Sequence, residues 1–235
     1  MASFTAKDRY SAEDLIHIVA LLRDPKDGCP WDSVQTHASI RKNFLEETYE
    51  VLEAIDADDP DMLCEELGDV MMQVALHSCM EQEKGNFDFD DVCDGVCKKL
   101  IYRHPHIFAD AQTQKNGIKD WDALKNKEKG RTGLADELQT VPVTLPALMK
   151  AEKLQKRAAH YGAVTDTSAQ AQAELQQAET ALTQALAADD AADSAQQAAG
   201  AYLFAAVNLL RTKGIDAEEA LELYAKQFAG DAAKK

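Results

Sequence analysis

No stretch of this chain approaches the roughly 18 consecutive apolar residues that cross a bilayer, so no membrane-spanning helix is expected. Positive charge is scarce as well: 25 Lys and Arg stand against 41 Asp and Glu, a formal net charge of −16. Binding a polyanion requires a positive face. Neither a nucleic-acid polymer nor an anionic membrane is therefore an expected partner. The opening MASFTAKDRYSAEDL has no apolar run behind a basic one, so no signal peptide is read there and the expected compartment is the cytoplasm. Cysteine is sparse and odd in number, at Cys29, Cys64, Cys79, Cys93 and Cys97. These are expected to be reduced core thiols. Cys93 and Cys97 lack further Cys or His at ligand spacing and do not make a zinc site. Strand-type alternation is missing too. What remains is an all-α chain whose partners are small molecules, metals or proteins. With 235 residues and 46% hydrophobic content it can bury a core.

Apolar residues recur at helical spacing throughout. The pattern predicts helices over Asp14–Leu22, Ser39–Ile55, Asp61–Gln82 and Asp91–Tyr102, with DADDPD breaking the second from the third and supplying an N-cap. WDALKNKEKGRTG reads as a short helix plus loop, and LPALMKAEKLQKRAAHYG starts a new ordered region. Further helices are predicted over Ser168–Ala187, Asp190–Thr212 and Ala217–Phe228. An internal echo links the halves. GDVMMQVAL…EKGNFDFDDV and GAYLFAAVNLLRTKGIDAEEAL each run from Gly through an apolar segment to a Lys-Gly turn and an acidic helix start. The Gly-to-Gly interval is three residues longer in the first, Gly68 to Gly85 against Gly200 to Gly214. The expected organisation is two diverged copies of one helical unit, 1–130 and 143–235, joined by a linker over 131–142.

The first copy concentrates acid beside an apolar face. Glu47 and Glu50 are three apart, as are Glu66 and Asp69 on the next helix, so each pair projects from one side. Leu45, Tyr49, Leu52, Leu67, Val70 and Val74 are interleaved with them, and Met71, Met72 and Phe44 are expected in the core. If the intervening turn folds the helices antiparallel, four carboxylates converge. At about 4 Å and an effective dielectric of 20, each like-charge pair repels by roughly 4 kcal/mol. A hard cation reverses that sign, and an all-oxygen donor set suits Mg²⁺ or Mn²⁺. No imidazole stands at the i+3 positions, so the Glu-x-x-His di-iron pattern is excluded. An ion held this way activates water and steadies charge on a phosphoryl group, which points to phosphate-ester or nucleotide hydrolysis.

EETYE followed by EELGD resembles the E-E-x-x-E…E-x-x-D signature of MazG nucleoside triphosphate pyrophosphohydrolases. LRDPKDGCPWDSVQTH, RHPHIF, LPALMKAEKLQKRAAHYG and AVNLLRTKG are similar to that family as well, so the likeness covers nearly the whole chain. The resemblance implies an all-α helical bundle, a homodimer, and Mg²⁺-dependent splitting of a nucleoside triphosphate into monophosphate and pyrophosphate by water attack at the α-phosphorus. It implies Glu47, Glu50, Glu66 and Asp69 as metal ligands and Glu46 as a further acidic member, one carboxylate orienting the water. Charge on the triphosphate also calls for cations. Lys98, Lys99 and Arg103, on or just after the fourth helix, with Lys125 and Lys127 later in the chain, are the candidates. Trp31 either stacks on the base or packs the turn before the helix. His104 and His106, flanking a proline, are read as turn and cap residues.

The second copy departs from the signature. Gln197, Ala198 and Ala201 replace the EELGD acids, and of the first triplet Glu174 survives while Gln177 replaces the third. GAVT from Gly162 lacks the usual aromatic. The second copy is therefore expected to bind no catalytic metal and to act as a scaffold. Asn208 and Arg211 persist, for packing or for a residual substrate contact. The alternative reading of the whole is a non-catalytic helical dimer that binds nucleotide or a protein as a regulator.

Overall fold

The computed structural model describes residues 4–108, 121–188 and 192–234, and the regular elements among them are all helices. They fall into two compact units, Met1–Lys119 and Asp120–Lys235. In the first unit α1 is Ala12–Leu22, α2 Arg41–Asp56, α3 Pro60–Gln82, α4 Phe89–Arg103 and α5 Pro105–Phe108, with a 3₁₀ turn at Asp32–Val34. In the second, α6 is Trp121–Glu128, α7 Leu134–Gln139, α8 Ala147–His160, α9 Ser168–Ala187, α10 Ala192–Thr212 and α11 Ala217–Ala232. No described helix is long and apolar enough to cross a membrane.

Three helices begin one or two residues before the periodicity predicts, and the reason is capping chemistry. Ser11 and Asp88 cap α1 and α4 in reciprocal capping boxes, so Asp14 and Asp91 are the third helical residues, paired with the cap, and not the first. Asp59 caps α3 through the backbone N–H groups of Asp61 and Met62, with Pro60 in the first helical position. Both Lys-Gly turns end their helix on a glycine in the left-handed region, Gly85 at φ 74° and Gly214 at φ 70°.

Each unit is organised around one long helix. α3 packs on α1, α2 and α4; α10 packs on α8, α9 and α11, in the same chain order. In unit 1 the core joins Val19 of α1, Ile40 ahead of α2, and Ala75, Leu76, Cys79 and Met80 of α3, with Leu15 and Met72 against it.

Four expectations are corrected. Leu45, Tyr49 and Leu52 on α2 and Leu67 and Met71 on α3 are about half exposed in the single chain, so this apolar face is not part of the core, and Met71 is not a core residue. Only Cys79 among the five free cysteines is buried; Cys64 and Cys97 are exposed. The segment expected as a linker, 131–142, contains α7 and lies inside the second unit. Arg157 of α8 grips its end through the Glu137 carbonyl and the Thr140 hydroxyl. α11 also runs on to Ala232, past the expected Phe228.

Candidate metal centre

α2 and α3 pack as an antiparallel hairpin whose connection is tight: Asp58 takes a left-handed φ of 52° and Asp59 caps α3. That turn brings the two acidic faces together. One carboxylate oxygen each from Glu47, Glu66 and Asp69 lie within 4.8 Å of one another, and all three residues are half-buried. Among the described residues this is the only group of three or more acidic, His or Cys side chains so placed.

The carboxylates of this group crowd one another electrostatically. Burial pushes the Glu47 carboxyl above its ordinary range, and the charges of Asp69 and Glu50 push it the same way. Glu66 is raised by desolvation first, then by Glu50, Glu65 and Asp69. Glu50 therefore borders the triple electrostatically, although it is exposed and not one of the three convergent oxygens. Asp69 and Glu50 lift the proton affinity of Glu47 and Glu66, and such a set of oxygens suits a hard divalent cation, whose charge would oppose both shifts. Glu46 faces away: it pairs with Lys42 at 3.0 Å on the solvent side of α2.

The predicted cations divide. Lys98 is exposed and held by Asp94 at 2.5 Å, Lys99 is half-buried on α4, and Arg103 is buried at the end of that helix. Lys125 belongs to the second unit, where it lines a separate cavity; the side chain of Lys127 lies outside those described. Trp31 is 55% exposed, and its carbonyl accepts from the Gln35 amide at 2.8 Å. His104 ends α4 with Nδ1 at 2.6 Å from the Leu100 carbonyl, the cap role expected for it.

Several residues around the site were not legible as such. Gln73 lies one turn beyond Asp69, almost wholly buried, next to Glu47, where its amide lowers the carboxyl's proton affinity against the other influences. Its Oε1 has no partner. The i+4 offset from Asp69 was the available signal. The segment around Trp31 is held by two acids at the C-terminal end of α3, Glu81 in its last turn and Glu83 at the cap position. Arg23, buried, makes a bidentate pair with Glu83 at 2.6 and 2.9 Å and donates to the Asp32 carbonyl at 2.8 Å. His37 meets Glu81 at 2.6 Å through Nε2 and His77 at 2.6 Å through Nδ1. Lys84 and Asn86 also donate to Glu81 and, with His37, hold its carboxyl down to about 2. Sequence separations of 60 and 44 residues leave no local pattern to detect.

The corresponding hairpin of unit 2 has the frame without the donors. A cavity of about 550 Å³ beside α9 is lined by Gly162, Thr165, Gln170, Glu174 and Gln177, with Glu174 its one carboxylate. Asn208 and Arg211 are turned to packing. Both donate to the Thr165 carbonyl, and Arg211 also reaches Asp166 at 2.9 Å, bracing the loop ahead of α9.

Residues 35–108, which contain all the carboxylates of the centre, match the MazG nucleotide pyrophosphohydrolase domain. The chain is 40% identical over 217 residues to the nucleoside triphosphate pyrophosphohydrolase of Escherichia coli K12, covering 91% of this chain and 82% of that one. It is 35% identical over 216 residues to the nucleoside triphosphate pyrophosphohydrolase/pyrophosphatase MazG of Thermotoga maritima, covering 92% and 82%. It is also 37% identical over 161 residues to the nucleoside triphosphate pyrophosphohydrolase of Mycobacterium tuberculosis, covering 67% and 49%.

Proposed function

This chain belongs to the MazG family of nucleoside triphosphate pyrophosphohydrolases, and we propose that unit 1 carries its hydrolysis of a nucleoside triphosphate to the monophosphate and pyrophosphate. The observation behind this assignment is the convergence of Glu47, Glu66 and Asp69 within 4.8 Å, with no counterpart among the described residues of unit 2.

Mg²⁺, or Mn²⁺ in its place, is the ion this oxygen donor set suits best. Glu47, Glu66 and Asp69 would hold it, with Glu50 beside them as the further candidate ligand. When bound, the ion supplies charge neutralisation on the phosphates and a water of lowered pKa. Gln73 fixes the Glu47 carboxylate. Trp31, exposed on its braced loop, offers a face for the base. Lys99 and Arg103, with Lys98 once released from Asp94, are the proposed cations of unit 1 for the triphosphate. Glu46 adds charge near the centre without binding the ion.

The exposed apolar face of unit 1 supports a homodimer. Leu45, Tyr49 and Leu52 form an i, i+4, i+7 stripe on α2, continued by Leu67 and Met71 on α3. A stripe of that size is costly to leave in water and is the ordinary signature of an interface. The matching helix order around α3 and α10 supports descent of the units from one repeat, with unit 2 as scaffold. The free cysteines and the absence of a described membrane-spanning helix accord with a cytoplasmic enzyme.

The test is incubation with a panel of NTPs and dNTPs, with and without Mg²⁺, products resolved by ion-exchange chromatography. Monophosphate plus pyrophosphate, dependent on Mg²⁺ and lost in Glu66→Gln, is the expected result. Diphosphate plus orthophosphate would overturn it.

A further inference from the structure

Unit 2 lacks carboxylates where unit 1 concentrates them, and it concentrates the opposite charge elsewhere. Lys153, Lys156, Arg157 and His160 are offset by three, four and seven residues along α8, so they occupy one face within an arc of about 100°. Lys125 of α6 approaches from another element. Together with Glu137 they line a cavity of about 100 Å³ held entirely by unit 2 residues.

This charge arrangement runs against the rest of the molecule. Acids outnumber bases 41 to 25, and lysines elsewhere commonly find one: Lys7 pairs with Asp14, Lys42 with Glu46, Lys84 with Glu81 and Lys98 with Asp94. Lys153 and Lys156, by contrast, form no ion pair with any described carboxylate, although an acidic chain offers many. The one acid in the cavity wall is already engaged. Glu137 is 5% exposed, and its Oε1 accepts from Asn126 at 2.5 Å and from the Tyr161 hydroxyl at 2.6 Å. The hydrogen bond to Glu137 pushes the Tyr161 phenol up, so it stays a donor. Arg157 is fixed by the Glu137 carbonyl and the Thr140 hydroxyl, which hold its guanidinium at the cavity rather than free in solvent. The cavity wall carries four permanent cations, Lys125, Lys153, Lys156 and Arg157, and one carboxylate, Glu137, with Glu152 near enough to Lys156 to feel its charge.

We propose that this cavity is an anion site for phosphoryl groups, of a size for orthophosphate or pyrophosphate. Sites that enclose drug-sized ligands run to about 300–1,000 Å³, so this cavity admits a phosphate and not a nucleoside. A fork-shaped guanidinium beside mobile ammonium groups is the donor chemistry that binds phosphoryl oxygens. Unit 2 then retains phosphate recognition where its hairpin has no metal-binding set, and the occupant is either free pyrophosphate or the phosphate tail of a nucleotide.

The experiment is isothermal titration of the full chain with inorganic pyrophosphate in EDTA at fixed ionic strength, so that no ion at the acidic centre recruits the anion. Saturable binding at one site per chain is expected, weakened at least tenfold by Lys153→Glu with Lys156→Glu, and unchanged by Glu47→Gln. Both lysines are exposed, so the folded state survives, and its melting curve checks this. A parallel titration with ATP in EDTA separates the sources. Binding by ATP that the same two substitutions abolish assigns the tail of a nucleotide, and binding by pyrophosphate alone assigns the free anion. Absence of saturable pyrophosphate binding, or equal binding by the double variant, would overturn the proposal.

Discussion

The α2–α3 hairpin and the α9–α10 pair each pack tightly within their own unit, yet the residues at matching places in their sequences differ in charge. Where the first presents Glu47, Glu50, Glu66 and Asp69, the second presents Glu174, Gln177, Ala198 and Ala201. The difference teaches that the frame does not depend on the donors. In unit 1 burial and the charges of Asp69 and Glu50 raise the proton affinity of Glu47 and Glu66, which is a cost to the folded state. Replacing them by amides and methyls relieves that cost, so nothing in folding retains the cluster. α10 keeps its packing on α8, α9 and α11 without such a cluster.

The largest effect that sharpens this contrast is on turnover. Glu47→Gln, Glu66→Gln and Asp69→Asn are each expected to lower kcat/KM by about 100-fold or more, the loss of roughly 3 kcal/mol of transition-state stabilisation. The same measurement on Glu174→Gln is expected to stay within twofold of the parent.

A direct attempt to break the contrast is to rebuild the donors in unit 2. Gln177→Glu, Ala198→Glu and Ala201→Asp together are expected to double the Mn²⁺ bound per chain in titration calorimetry. They are also expected to lower the melting temperature in EDTA. If no additional ion binds, the two hairpins differ in more than these positions.

The brace on the Trp31 loop gives a smaller, structural effect. Arg23→Ala leaves the Glu83 carboxylate and the Asp32 carbonyl without their donor, and is expected to cost about 2 kcal/mol by denaturant unfolding. Lys42→Ala, at the exposed pair with Glu46, is expected to change stability by less than about 0.5 kcal/mol.

The acids also predict a pH dependence in the metal-free protein. Glu47 and Glu66 have raised folded-state values, so they oppose stability at neutral pH and that opposition fades as pH falls through those values. Glu81 is the reverse case: its contribution is present above 4.5 and lost as pH falls toward about 2. In EDTA the melting temperature is therefore expected to rise modestly from neutral pH toward about 5 and to fall below about 4. Glu47→Gln removes part of the rise and leaves the acid-side fall unchanged.

What the sequence disclosed followed from local physics. Helix positions and the three-residue spacing of Glu47 with Glu50 and of Glu66 with Asp69 are short-range patterns, and the hairpin turned them into a cluster. The loss of acids in unit 2 was readable for the same reason. What it concealed depends on distance or on water. Arg23 meets Glu83, and His37 meets Glu81, across separations no periodicity reports. Tyr49 and Leu52 carry the pattern of a core face, because a face that packs against another surface and a face that packs inside obey the same spacing. Their exposure became visible only in three dimensions. Glu46 stands next to Glu47 in sequence and points elsewhere, since adjacent residues on a helix diverge by about 100°.

The most direct test of the asymmetry is a side-by-side measurement of Mg²⁺-dependent pyrophosphate release from a nucleoside triphosphate by the parent chain, Glu66→Gln and Glu174→Gln. Unit 1 as the sole catalytic unit predicts loss in Glu66→Gln and parent-like release in Glu174→Gln. Undiminished release by a folded Glu66→Gln protein, or loss in Glu174→Gln, would contradict it.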